Sequence, residues 1–116
     1  MMNQGFSASV RDLLGAAVID LRGEINAFAD QELSSAYDLA EGYAKQTIVL
    51  NFKEVSYINS TGIALIVGLL ARARKSGLRL AVFGLSDHYQ EIFQITRLAD
   101  FMSIYSNEAS LMAELG

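Results

Sequence analysis

The sequence predicts one α/β domain on a mainly parallel mixed sheet of about five strands, in the order β-β-α-β-α-β-α-β-α. Two observations carry that expectation. Short apolar runs at residues 16–21, 47–52 and 80–83 alternate with longer stretches of helical periodicity. Strands separated by helices imply parallel neighbours joined by right-handed crossovers. The 116 residues make one domain's length, and 52% hydrophobic content is enough for a core without staples.

Residues 6–10 alternate weakly and read as a first strand. Residues 16–21 (Ala-Ala-Val-Ile-Asp-Leu) read as a second, entered by a turn at Leu14-Gly15 and able to pair antiparallel with the first. Arg22-Gly23-Glu24 is expected to break it. Over residues 29–44 the apolar Leu33, Ala36, Tyr37, Ala40 and Ala44 fall three and four apart. That spacing predicts an amphipathic helix, with Glu32, Asp38, Glu41 and Lys45 mostly outward.

Residues 47–52 (Thr-Ile-Val-Leu-Asn-Phe) read as a central strand covered on both faces, and 53–58 as the loop after it. A second helix is expected over 60–75, closed by Gly77 in the position of a left-handed cap. Residues 80–83 form a further buried strand, followed by Gly84. A short helix over 87–95 turns Tyr89, Ile92, Phe93 and Ile95 inward. A last strand at 102–105 precedes a helix through Leu115, capped by Asn107 or Ser106.

Composition removes several functions. With no cysteine there is no disulfide framework, thiol catalysis or cysteine-ligated zinc. A single histidine, His88, excludes a multi-histidine metal site; beside Asp87 it reads as a surface or capping residue. Residues 1–6 lack a basic start followed by an apolar run, so no signal peptide is expected. The longest apolar stretch, residues 62–71, is about half the ~20 residues a bilayer requires. A cytoplasmic location is the expectation. Net charge is −4, from 13 acidic and 9 basic residues, which disfavours nucleic acid. The basic cluster Arg72, Arg74, Lys75 and Arg79 is expected to lie at a helix C-terminus, where cations offset the dipole.

Chemistry concentrates at Asn59-Ser60-Thr61-Gly62, at a strand-to-helix turn. Such a turn presents unpaired N–H groups at the positive end of the helix dipole. Asn59 or Ser60 would be the N-cap. A phosphate added to a hydroxyl here would meet the free N–H groups and bring about 1.5 to 2 negative charges. The helix that follows is apolar nearly all round, more than a face on a sheet requires. Ala64, Gly68 and Ala71 form a small-residue stripe that serves either close packing on the sheet or a flat surface for a partner.

Residues 57–64 (Tyr-Ile-Asn-Ser-Thr-Gly-Ile-Ala) resemble the STAS-domain signature, Asp-Ser-Ser/Thr-Gly-Leu-Gly/Ala in anti-sigma-factor antagonists. Residues 21–26 (Leu-Arg-Gly-Glu-Ile-Asn) are similar to that family's Gly-Glu-Leu-Asp turn after the second strand. The spacing of the motifs, the intervening helix and the Ile48-Val49-Leu50-Asn51-Phe52 strand match too. The resemblance covers nearly the whole chain and implies a single STAS domain over residues 1–116.

It further implies a regulatory binding protein rather than an enzyme. In the family's partner switching, the unphosphorylated antagonist binds an anti-sigma factor that is also a serine kinase, and the sigma factor is freed. Phosphorylation ends that binding, and a metal-dependent phosphatase restores it. The implied phosphoacceptor is Ser60, with Thr61 as the second choice. The implied partner surface comprises Glu24, Asn26, Asn59, Ser60, Thr61, Gly62, Ile63, Ala64 and Gly68. Catalytic residues, cofactor, metal and membrane insertion are not expected, and oligomerisation is left open. Where the family carries two aspartates, this chain has Asn59 and Asn26, so the turn loses two negative charges.

Other readings of the chain are a scaffold or sensor subunit of a signalling assembly, or an accessory subunit of a transporter. A hydrolase or phosphotransferase using Ser60 ranks below these, because His88 is alone and no base is in view. A nucleotide site would lack a lysine and the usual glycines.

Overall fold

The computed structural model describes residues 5–115. Its elements are β1 (Phe6–Leu13), β2 (Ala16–Ile25), α1 (Asp30–Gly42), β3 (Thr47–Ile58), α2 (Ser60–Lys75), β4 (Arg79–Phe83), α3 (Asp87–Ile95), β5 (Ser103–Tyr105) and α4 (Glu108–Leu115). One-turn 3-10 segments at Ala27–Ala29 and Leu98–Phe101 precede α1 and β5. The five strands lie in one sheet in sequence order, β1 antiparallel to β2 and the rest parallel. The expected order of elements is the observed one.

The sheet is covered on both faces, which is why its central strands are apolar at successive positions. Ile19, Leu21, Ile48, Leu50 and Val82 point to one face, with Leu33 and Tyr37 of α1, Ile66 and Leu70 of α2 and Phe93 of α3. Phe52 and Phe93 meet edge to face at 6.0 Å. Ala16, Val18, Val49, Ala81 and Phe83 point to the other, where fully buried Leu111 of α4 covers them. Burial of such a leucine contributes roughly 1.5–3 kcal/mol, so this one side chain anchors an eight-residue helix.

Polar contacts fasten α4 as well. Arg11 of β1 donates to both carboxylate oxygens of Asp20 (2.6 and 2.9 Å) and to Glu108 at the start of α4 (2.8 Å). Asn51 of β3 donates to Asp20 at 2.7 Å. Burial alone would raise the Asp20 carboxyl, but these donors and the nearby charges of Arg11 and Arg22 outweigh it and hold the carboxyl below its ordinary value.

Helix ends obey local chemistry. Gly77 (φ +73°) follows the C-cap Ser76, and the Gly77 and Leu78 N–H groups return to Arg74 and Ala73 in a Schellman closure. Ser86 caps α3, and Asn107, not Ser106, accepts from Ser110 N–H ahead of α4. The helices over 60–75 and 87–95 have the expected bounds. The first helix is two residues shorter at its C-terminal end, and Ala44 lies beyond it in the left-handed region.

Two expectations about strands are corrected. Arg22-Gly23-Glu24 does not break the second strand, which continues to Ile25. Residues 53–58 are not a loop, because the third strand continues to Ile58 alongside it. The pairing goes from Asp20↔Asn51 to Arg22↔Glu54 and from Gly23↔Val55 to Glu24↔Tyr57, so β3 carries an extra residue at each step. These bulges destroy the two-residue alternation by which a strand is recognised. Ile95 is also corrected: it is 72% exposed, two residues past Phe93 and so turned away from the inward face of α3 set by Tyr89 and Phe93.

Candidate functional site

β2 and β3 end together, with Ile25 paired to Ile58, and their last residues lead directly into the two motif turns. The Asn59 N–H donates to the Ile25 carbonyl at 3.2 Å. Gly62 lies under the same carbonyl: a Cβ there would fall inside the van der Waals shell of the Ile25 oxygen and 2.9 Å from the Ile58 side chain. Only glycine lets α2 start so close to β2. Glu24 N–H donates to Gly5 at 2.7 Å, and Gly23 (φ +98°) adopts the backbone that brings it there.

Asn59 is the N-cap of α2: its side-chain oxygen accepts from Gly62 N–H at 2.8 Å. Asn26 does the same for the next segment, accepting from Phe28 N–H at 2.9 Å. Both asparagines thus use the oxygen that an aspartate would also offer. Ser60, the first residue of α2, is exposed, and so is Thr61. First-turn N–H groups have no intrahelical acceptor, and no acidic side chain occupies this turn. The Ser60 hydroxyl therefore stands in a positive field, open to solvent.

Tyr89 holds the approach to this turn. Its hydroxyl accepts from Ile58 N–H at 2.8 Å, inside the core. The helix α3 is thereby tied to the last strand residue before Asn59. Sequence reasoning took Tyr89 as packing alone; a tyrosine where phenylalanine would pack equally was the available signal.

The structure decides the direction of the small-residue stripe. Ile66, Leu69, Leu70 and Ala73 of α2 face the sheet, while Ala64, Val67, Gly68 and Ala71 face solvent. A Cβ on Gly68 would meet nothing within 4 Å, so this glycine serves no packing contact. Beside the stripe a groove of about 170 Å³ separates α2 from α1, lined by Leu33, Ala64, Leu65, Gly68 and Arg72 among others. Arg72 closes its end, donating to Asp38 at 2.5 Å with its guanidinium 4.3 Å above the Tyr37 ring.

Of the residues expected at a partner surface, Glu24, Ser60, Thr61, Ala64 and Gly68 are exposed, and Asn26, Asn59 and Ile63 half-buried. Gly62 is buried beneath Ile25, where it shapes the turn. The basic cluster divides. Arg72, Arg74 and Lys75 occupy the last turn of α2, whereas Arg79 begins β4 and donates to Ser103 and Tyr105. His88 is exposed, with its ring 4.8 Å from the Tyr89 ring in an edge-to-face arrangement. Among the described residues no cluster of histidine and acids could hold a metal. Among the same residues no helix is long and apolar enough to cross a membrane.

A family model for the STAS domain matches residues 7–111, an interval that contains both turns and all but the first residue of the sheet. The chain belongs to the STAS-domain family. Its relatives are of the anti-sigma-factor-antagonist type: the anti-sigma-B factor antagonist of Listeria monocytogenes is 35% identical over 95 residues, covering 80% of this chain and 82% of that protein. In fold, this STAS domain is similar to an anti-sigma factor antagonist from Mycobacterium paratuberculosis, with a TM-score of 0.81 and 16% identity over 96% of this chain and 94% of that one. It is also similar to the Bacillus cell fate determinant SpoIIAA in its phosphorylated form, with a TM-score of 0.70 and 22% identity over 92% and 98%.

Proposed function

We propose that this STAS domain is a cytoplasmic anti-sigma-factor antagonist that works by partner switching, with Ser60 as the phosphoacceptor. In its unphosphorylated state it binds an anti-sigma factor that is also a serine kinase, and a sigma factor is released. Phosphorylation of Ser60 ends the complex and a serine phosphatase restores it. The observation that carries this reading is the position of Ser60. It is an exposed hydroxyl on the first turn of α2, beside the outward Ala64-Val67-Gly68-Ala71 stripe.

The physics of the switch follows from that position. A phosphate on Ser60 gains the helix dipole and the free first-turn N–H groups, so the fold tolerates it. The same phosphate puts two charges beside an apolar docking strip, where a partner would have to desolvate them. Asn59 and Asn26 keep the caps without adding negative charge, so the turn repels a phosphate less than one carrying two aspartates. Ser60 accordingly remains phosphorylatable, with a kinase preference different from that of Asp-Ser antagonists.

The test compares wild type, Ser60→Ala and Ser60→Asp in binding to the cognate kinase, with phosphate mapped by mass spectrometry after incubation with ATP. Binding by the first two, loss with Ser60→Asp and phosphate on Ser60 are the expected results. Equal binding by all three, or no phosphate on Ser60, would overturn the reading.

A further inference from the structure

The edge of the sheet at β1 is built differently from the Ser60 face. Strand β1 is eight residues long, pairs with β2 without a bulge, and has no strand on its outer side among the described residues. It contains neither proline nor lysine, and its arginine is turned onto Asp20 and Glu108. Long, flat edges of this kind are normally blunted, because their free N–H and C=O groups are a template for another strand. Here the edge is bordered by a groove of about 480 Å³ between β1 and α1, lined by Ala8, Ser9 and Val10 below and Phe28, Ser35 and Leu39 above. Phe28 is 93% exposed and Leu39 58%, at opposite ends of that groove.

We infer that this edge is a homodimer interface, in which β1 pairs antiparallel with β1 of a second copy about a twofold axis at Ser9. A twofold interface requires that residue i meet residue j and j meet i. Both layers satisfy that about one axis. In the strand layer Ser9 meets its own counterpart and Ala8 meets Val10, so small apolar side chains line the groove side. In the helix layer Phe28 lies in the 3-10 turn just before α1 and Leu39 in the C-terminal half of α1, and both line the groove. Antiparallel helices bring Phe28 against Leu39 of the second copy. Between those contacts Glu32 then faces Ser35, a hydroxyl donor, and not another Glu32.

Spacing agrees. Paired strands lie about 4.8 Å apart, and helices centred over the β1–β2 step would stand about 10 Å apart, an ordinary packing distance. Glu32 is the one charged residue in the groove lining, so no like charges are opposed. The product is a ten-stranded sheet in which the most exposed aromatic side chain is covered.

The experiment is sedimentation equilibrium on the full chain, at micromolar to millimolar concentration, for wild type, Phe28→Lys, Leu39→Glu and the double variant. Both side chains are exposed, and circular dichroism melting verifies that each variant stays folded. Wild type is expected at twice the chain mass, with each single variant weakened at least tenfold. In the double variant the new lysine meets the new glutamate across the axis, and dimerisation returns in a salt-sensitive form. An equimolar mixture of the single variants associates more tightly than either alone. A monomeric wild type overturns the inference, and so does a dimer indifferent to both substitutions or one the double variant fails to restore.

Discussion

Gly62 rests its bare α-carbon on the carbonyl oxygen of Ile25, and through that contact the two motif turns become one structure. The Asn59 N–H binds the same oxygen at 3.2 Å. Replacing Gly62 with alanine would push α2 off β2, at a cost of about 3 kcal/mol as an overpacking change. Gly68→Ala, in open space on the same helix, is expected to stabilise by up to about 1 kcal/mol through helix propensity. Urea denaturation of the two variants should therefore give midpoints on opposite sides of wild type.

Asn59 caps α2 with a side-chain oxygen that aspartate also possesses. Asn59→Ala should cost about 1 kcal/mol, whereas Asn59→Asp should keep or slightly raise the melting temperature, since an anion suits the helix N-terminus. With a kinase specific for Asp-Ser antagonists, the aspartate variant should be phosphorylated on Ser60 faster than wild type. Rates measured with labelled ATP check this, and equal rates would show that residue 59 does not set kinase preference.

Tyr89→Phe leaves Ile58 N–H buried without its acceptor. A loss of about 1–3 kcal/mol is expected in thermal or denaturant unfolding. The local consequence is more specific: hydrogen exchange at Ile58 should accelerate beyond the global loss, because the strand end leading to Ser60 loses its tether.

Asp20 predicts the acid limb of stability. Its carboxyl is held below the ordinary value in the folded state, so the stabilisation is present above the unfolded value of about 3.9. As pH falls from there through the folded value, the Arg11 and Asn51 contacts lose their charged acceptor and the stabilisation disappears. Asp20→Asn should lower stability at neutral pH and flatten its decline as pH falls below the unfolded value of about 3.9, measured by urea denaturation on both sides of that value.

Local chemistry made much of this legible. The helices over 60–75 and 87–95 could be read from the sequence because their signals are local: the cap at Asn59 and the Schellman glycine Gly77 act within a few positions. The far ends of β2 and β3 could not, since two bulges on β3 depend on a partner strand some thirty residues away. Ser60 was legible as a candidate from its motif. Tyr89 and the Arg11–Asp20–Glu108 network were not, because each joins positions distant in sequence.

By itself, then, the sequence determined the order of elements, the ends of the second and third helices and the chemical character of the Ser60 turn, all set by nearest-neighbour backbone and side-chain preferences. Tertiary structure alone decided which side of an almost wholly apolar α2 faces outward. A helix without a polar face carries no sign of its own orientation. Docking on the sheet through Ile66, Leu69, Leu70 and Ala73 left Ala64, Val67, Gly68 and Ala71 to solvent beside Ser60.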